Sequence, residues 1–198
     1  MRCEIATDHR GAPLKVVHLA GKLCGRLAGR QHFARTCEAL SHTSPGDRVG
    51  LDFSEAEQLS ASWLNSMLVP FLRWAAAGAN DVFPILLAVN PLWHDEFRLV
   101  AEWNHQCYVL APRALPNLRH ALLIGSLDPG QYECLTAVLA HPEATGANLK
   151  RWYPDVPIGA TAWNNRLREL YAKRLLIRHK RGREWRYTGA VTEIDFYG

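Results

Sequence analysis

The stretch between residues 161 and 187 constrains the fold more than any other part of the chain. It begins with a predicted helix, from about residue 161 to 173, whose apolar residues recur at the i, i+4, i+7 and i+8 spacing of one helical face: Trp163, Leu167, Leu170 and Tyr171. A β-hairpin with a tight turn at Arg181-Gly182 is predicted directly after it. Three residues of this hairpin are expected to pack inward, namely Ile177, Trp185 and Tyr187. A helix joined so closely to a hairpin needs a small helical core against which both can pack.

Two predicted helices before residue 161 supply that core. Asp128-Pro129-Gly130-Gln131 is typical of a helix start, because Asp can cap, Pro suits the first turn and Gln can complete a capping box. This helix is expected to run to about His141, with Tyr132 among its inward residues. A second, short helix is predicted from Gly146 to Trp152.

Charge is distributed unevenly along the chain. Residues 1–128 carry twelve basic and twelve acidic side chains, whereas residues 150–187 carry eleven basic and only three acidic ones, a local net charge of +8. Focused positive charge indicates a polyanionic partner, although a solvated basic face is an equally simple explanation.

Three helices followed by a basic hairpin resemble the winged helix-turn-helix family. The segment Asn165–Leu176 is similar to the third helix of that family and the entry to its wing. The resemblance implies a domain over residues 125–198 that binds double-stranded DNA, with the third helix in the major groove and the wing on the backbone or in the minor groove. The implied DNA-binding residues are Thr161, Asn164, Asn165 and Arg168 on the helix, and Lys180, Arg181, Arg183 and Arg186 on the wing.

The first part of the chain alternates strand and helix patterns, which predicts an α/β domain over residues 1–115. We expect a mixed sheet of about four strands and helices at 26–40, 60–77 and 92–104. The strand Arg48–Phe53 is apolar on both faces and is therefore expected to be central.

A strand ending in Asp52-Phe53-Ser54, followed by a helix that starts at Ser60-Ala61-Ser62, resembles the STAS-like fold of anti-sigma factor antagonists. In those proteins a serine at this helix start is phosphorylated to switch partner binding. Ala61 occupies the matching position here, so Ser60 and Ser62 remain as candidates for a phosphorylation switch. A helix cap is the simpler role for Ser60.

The sequence gives little support for an enzyme. It contains no glycine-rich phosphate loop and no nucleophile elbow, and we expect no cofactor and no metal site. The five cysteines are scattered, which favours buried, reduced thiols. No signal peptide or membrane-length apolar run is evident, and a cytoplasmic location with no membrane partner is expected.

These patterns together predict a bacterial or phage-type transcription regulator. Its STAS-like domain would sense a signal or dock a protein partner, and its winged helix would bind duplex DNA. The alternative is a non-enzymatic adaptor whose winged helix docks another protein in a larger assembly. A homodimer is expected if two half-sites are bound.

Overall fold

The structure, a computed structural model, describes residues 2–7, 13–112 and 120–197. The described elements, in chain order, are β1 (Arg2–Thr7), β2 (Pro13–Leu23), α1 (Arg26–Ala39), β3 (Arg48–Leu59), α2 (Ala61–Ala76), β4 (Phe83–Leu87), α3 (His94–Asn104), β5 (Tyr108–Ala111), β6 (Ala121–Ile124), α4 (Pro129–Ala140), α5 (Gly146–Trp152), α6 (Ala160–Ala172), β7 (Leu176–Arg181), β8 (Glu184–Gly189) and β9 (Ile194–Phe196). A short 3₁₀ helix, Pro91–Trp93, precedes α3.

The chain divides into two compact units. The first comprises Met1–Ser126 with Glu193–Gly198, and the second comprises Leu127–Thr192. The C-terminal residues were predicted to lie in the second domain, but β9 pairs in parallel with β6 and Ile194 is buried there. The predicted end of the first domain, at residue 115, lies outside the described residues.

The first unit is built on a mixed sheet of seven strands in the order β1-β2-β3-β4-β5-β6-β9. The prediction of about four strands was wrong, because β1, β6 and β9 extend the parallel centre formed by β2 to β5. The prediction that Arg48–Phe53 is central is confirmed, since β3 is paired in parallel with β2 on one side and β4 on the other.

The helices of the first unit contribute to one apolar layer against the sheet. Its fully buried members include Leu51 and Phe53 from β3, Trp63 and Phe71 from α2, and Phe97 from α3. The start of α2 follows from Ser60, whose Oγ accepts a hydrogen bond from the backbone N–H of Trp63 (3.3 Å). All three helices predicted in this unit are present, with ends that differ by one or two residues from the predicted ones.

The second unit consists of three helices and a two-stranded antiparallel sheet. Asp128 caps α4 and forms the predicted capping box with Gln131, and Thr145 forms a second one with Asn148 at the start of α5. A single bridge between Ala144 and Tyr187 connects the residue before α5 to β8. Tyr132 was predicted to face inward but is 47% exposed, because it lies beside the buried stripe formed by Gln131, Cys134, Leu135 and Val138.

Candidate nucleic-acid interface

Helix α6 presents a polar face opposite its buried one. Trp163, Leu167 and Leu170 are fully buried against the unit. The predicted contact residues Thr161, Asn165 and Arg168 are exposed on the other side. This separation follows from the helical period of 3.6 residues, which carries positions 161, 165 and 168 away from the apolar stripe.

Asn164 is half-buried and has a role within the fold. Its Oδ1 accepts a hydrogen bond from the backbone N–H of Gly146 (3.1 Å), which joins α6 to the first residue of α5. A Cβ at position 146 would lie 2.5 Å from the Ala160 carbonyl oxygen, so the two helices approach this closely only because residue 146 is glycine. Asn164 was predicted to contact a nucleic acid. Its side-chain oxygen Oδ1 instead accepts a hydrogen bond that holds α6 against α5.

The hairpin formed by β7 and β8 turns at Gly182-Arg183 rather than at the predicted Arg181-Gly182. Gly182 has a φ of 64°, which glycine adopts without strain at the first position of a two-residue hairpin loop. Lys180, Arg181 and Arg183 surround this turn and are all exposed. The hairpin therefore has the cationic tip that the sequence predicted.

Glu143 reduces part of the positive charge of the hairpin. Its carboxylate lies 3.6 Å from Arg181 Nη1, 3.9 Å from Arg186 Nη1 and 3.7 Å from His179 Nε2. Within the described part of the chain, Lys180 and Arg183 form no ion pair with a carboxylate. These two side chains, together with Arg168 on α6, are the cations best placed to meet an external anion.

A cation stacked between two aromatic rings connects the hairpin to α6. The guanidinium carbon of Arg178 lies 4.0 Å from the ring centroid of Tyr171 and 4.3 Å from that of Trp185. Trp185 was predicted to pack inward, but it is 44% exposed because its position near the hairpin turn lies beyond the core that buries Tyr187. No sequence pattern predicted this role of Arg178, because its two partners come from different elements, α6 and β8.

A recess of about 200 Å³ lies where α5, α6 and β8 meet. Its walls include Gly146 at the start of α5, Asn164 and Arg168 on α6, and Glu184 and Trp185 on β8. The recess thus combines a guanidinium, an amide, a carboxylate and an exposed indole. Such groups can donate to and accept from base edges or phosphates, and can stack on planar groups.

In the first unit, Ser60 accepts two backbone hydrogen bonds. Its Oγ accepts from Trp63, as described above, and from the N–H of Gly25 (3.2 Å). The Oγ of Ser62 lies 3.1 Å from the same oxygen, and Ser62 is exposed. Ser60 thus caps α2 and ties it to the residue before α1, whereas Ser62 is the more accessible hydroxyl.

The sequence patterns did not predict a polar cluster around a buried histidine between β1, β2 and β3. His18 is 3% exposed, and its Nδ1 lies 3.1 Å from Asp52 Oδ2 while its Nε2 lies 3.1 Å from Glu4 Oε1. Asp52 is itself buried, and its Oδ1 accepts a hydrogen bond from the N–H of Ser54 (2.9 Å). Two carboxylates thus contact one buried imidazole, and the contact with Glu4 connects the edge strand β1 to β2.

All five cysteines are free thiols, but the expectation that they are all buried was wrong. Cys3 and Cys24 are exposed, whereas Cys107 and Cys134 are buried. Burial raises the pKa of Cys37 to about 11 and that of Cys134 to about 12, so both remain protonated near neutral pH. These two thiols are therefore poor nucleophiles and poor metal ligands.

Two further observations concern the described residues alone. No group of three or more His, Cys, Asp or Glu side chains among them is placed to hold a metal ion. None of the helices they form combines the length and the apolar character needed to cross a membrane.

No protein-family model matches the chain, and no curated protein matches it.

Proposed function

We propose that the second unit is a winged helix-turn-helix that binds duplex DNA, and that the chain is a DNA-binding transcription regulator. In this proposal α6 is the recognition helix and the β7–β8 hairpin is the wing. Asn165 and Arg168 meet base edges in the major groove, and Lys180 and Arg183 meet the phosphate backbone. Thr161, Arg181 and Arg186 have supporting contacts, the last two weakened by Glu143.

The observation that carries this proposal is the position of the exposed face of α6 beside the basic hairpin. Arg168 and Trp185 share one recess, so the helix face and the wing form a continuous surface. Residues 150–187 bring a net charge of +8 to this part of the chain. A surface of this charge is strongly attracted to phosphates, and arginine with asparagine supplies the bidentate donors and acceptors that distinguish bases.

The first unit is proposed to be STAS-like and to receive the signal or dock the partner. The support is local: residues 48–53 lie inside the sheet, and Ser60 caps the next helix. The resemblance to anti-sigma factor antagonists implied a strand that ends at Asp52-Phe53-Ser54, but β3 continues to Leu59, directly before Ser60. A two-fold dimer of the whole chain is part of the same proposal, because paired winged helices read two half-sites.

Fluorescence titration of labelled duplex DNA with the full chain tests DNA binding directly. We expect binding at low salt that weakens steeply as salt increases, since each phosphate contact releases counterions. Arg168→Ala should cost about 1–3 kcal/mol on a selected site and reduce sequence preference. Arg183→Ala should weaken binding to all duplexes and lower the salt slope by about one unit.

Arg35→Ala is the matched control for these variants, because it removes one exposed arginine from the first unit and lowers the net charge equally. It should leave DNA affinity and the salt slope unchanged. Wild-type protein that shows no binding to any duplex at low salt would remove the DNA proposal.

One observation favours a protein-binding adaptor as the second candidate. Trp185 is exposed beside a guanidinium, and exposed tryptophan and arginine are the residue types that dominate the energy of protein interfaces. A Trp185→Ala variant that keeps full DNA affinity but loses a co-purifying protein would favour the adaptor. Equal loss of DNA affinity in Trp185→Ala and Arg183→Ala would favour the wing.

A further inference from the structure

A second basic recess lies in the first unit, between helices α1, α2 and α3. Its volume is about 630 Å³, within the range of sites that hold small molecules. The two main helices approach closely at Gly29, where an added Cβ would lie 2.8 Å from Ser66 Cβ and 2.9 Å from the Trp63 carbonyl oxygen. This contact sets α1 against α2 and brings their polar side chains to one opening.

Three arginines line the recess, and none of its lining residues is acidic. Arg26 and Arg30 lie one turn apart on α1, and Arg73 lies on the last turn of α2. All three are exposed, and none forms an ion pair with a carboxylate among the residues that the structure describes. Like charges one helical turn apart destabilise a helix slightly, so the cluster gives the fold no benefit.

The start of α1 adds to the positive potential of the recess. Arg26 is the first residue of this helix, and its first turn contains no acidic side chain. The N-terminal end of a helix carries a partial positive charge that favours anions. The sequence of the first unit holds twelve basic and thirteen acidic residues, so the recess is a local feature rather than part of a general basic surface.

The remaining walls are suited to a small organic molecule. Asn104 donates through Nδ2 to Asn65 Oδ1 (3.1 Å), which fixes two amides at the edge of the recess. Phe33, Val69 and Pro70 supply an apolar side. A concave site with apolar walls and a few convergent polar groups is the usual form of a small-molecule site, whereas contacts to duplex DNA follow an open surface.

We propose that this recess binds a small molecule that carries two or more phosphate groups. Guanidinium groups bind phosphate through paired N–H···O bonds, and three of them around one opening match a multivalent anion better than a single phosphate. The inference names the ligand class for the signal-receiving role proposed for the first unit. It does not require that the second unit bind DNA.

Calorimetric titration of the full chain with inorganic tripolyphosphate tests this assignment, with citrate as the carboxylate arm and matched ionic strength. We expect saturable tripolyphosphate binding that Arg30→Gln or Arg73→Gln weakens about tenfold or more, the effect of losing a charge-assisted hydrogen bond. Arg35→Gln, on the same helix but outside the recess, should keep wild-type affinity. Arg183→Gln should also keep it, which excludes binding at the hairpin of the second unit.

Several results would overturn the proposal. These are the absence of saturable binding, equal weakening by Arg35→Gln, loss of binding in Arg183→Gln, and citrate binding as tight as tripolyphosphate. Loss of duplex DNA binding in Arg30→Gln, without tripolyphosphate binding by the wild type, would reassign the recess to DNA. Because DNA binding is scored separately through Arg168 and Arg183, failure here is distinguishable from failure of the proposed regulator.

Discussion

The contacts that stabilise the first unit internally differ in kind from those that stabilise the second. In the first, helices and sheet share a continuous apolar layer that includes Trp63 and Phe97. In the second, polar ties connect the helices: Gln131 Nε2 donates to Glu169 Oε2 (3.0 Å), and Arg166 Nη1 donates to Glu133 Oε2 (2.9 Å). The shorter unit can bury less apolar surface, so hydrogen bonds between side chains and close backbone contacts contribute a larger share of its stability.

This difference predicts which substitutions each unit tolerates. Removing a large apolar side chain should damage the first unit most, because the layer cannot collapse around the cavity. Adding a single methyl group at a close helix contact should be the corresponding weak point of the second unit. Exposed arginines such as Arg30 and Arg183 form no ion pair among the residues that the structure describes, so they are available for binding.

Phe97→Ala should have the largest effect on stability. The Phe97 side chain is fully buried and makes edge contacts with the rings of Phe53 (5.7 Å between centroids) and Tyr108 (5.9 Å). We expect a loss of about 3–5 kcal/mol in the free energy of unfolding, measured by urea denaturation. Hydrogen exchange should place the loss of protection in the first unit.

Phe196→Ala is the control in the same unit, because that ring is 36% exposed on the short strand β9. It should reduce the free energy of unfolding by less than about 1 kcal/mol. Similar losses in the two variants would mean that the apolar layer is not the main support of the first unit.

Gly146→Ala should have the next largest effect, in the second unit. The added Cβ would meet the Ala160 carbonyl oxygen and the Asn164 Oδ1, each at 2.5 Å, and would disturb the hydrogen bond between Gly146 and Asn164. A backbone oxygen cannot move aside cheaply, so we expect a loss of about 1–3 kcal/mol in thermal or urea unfolding.

Gly159→Ser separates this steric effect from a general loss of glycine. Nothing lies within 4 Å of a Cβ at position 159, and that residue caps α6 with an extended backbone. Serine is a favourable helix cap, so this variant should be neutral or slightly more stable. A tolerated Gly146→Ala would show that α5 and α6 can separate without loss of stability, and that close backbone contacts are not a weak point of the second unit.

Sequence patterns predicted the parts of the fold that depend on local signals. The capping residues Asp128 and Gln131 located the start of α4, and the apolar residues of Arg48–Phe53 identified a central strand. The edge strands β1 and β9 were not predicted because they are short and largely exposed, and because each is stabilised by pairing with another strand. Propensity alone cannot identify a strand whose stability comes from its neighbours.

The candidate interface was likewise predictable only where it depends on a local sequence pattern. Helical periodicity identified the exposed positions Asn165 and Arg168 on α6. It could not show that Asn164 binds Gly146, which lies 18 residues earlier, or that Arg178 stacks between Tyr171 and Trp185. Those contacts depend on how separate elements pack, and a single sequence does not encode such distances in any local pattern.

The smallest predicted effect concerns a side-chain hydrogen bond within the first unit, which is otherwise stabilised mainly by its apolar layer. Trp63 Nε1 donates a hydrogen bond to His32 Nδ1 (2.9 Å), and this nitrogen can accept only while it is unprotonated. Burial, with a smaller contribution from the nearby Arg35 charge, lowers the pKa of His32 below its ordinary value of 6.5. The folded protein therefore holds His32 neutral more strongly than the unfolded chain does.

It follows that the unfolded chain takes up more protons as the pH falls below about 6.5, and the free energy of unfolding declines from there until the folded histidine is also protonated. His32→Gln keeps an acceptor for Trp63 but does not titrate, so it should lose less stability than the wild type between neutral and mildly acidic pH. His42→Gln, which alters an exposed histidine of the same unit, should follow the wild-type curve. Parallel curves for wild type and His32→Gln would show that this hydrogen bond adds no pH dependence to the stability of the first unit.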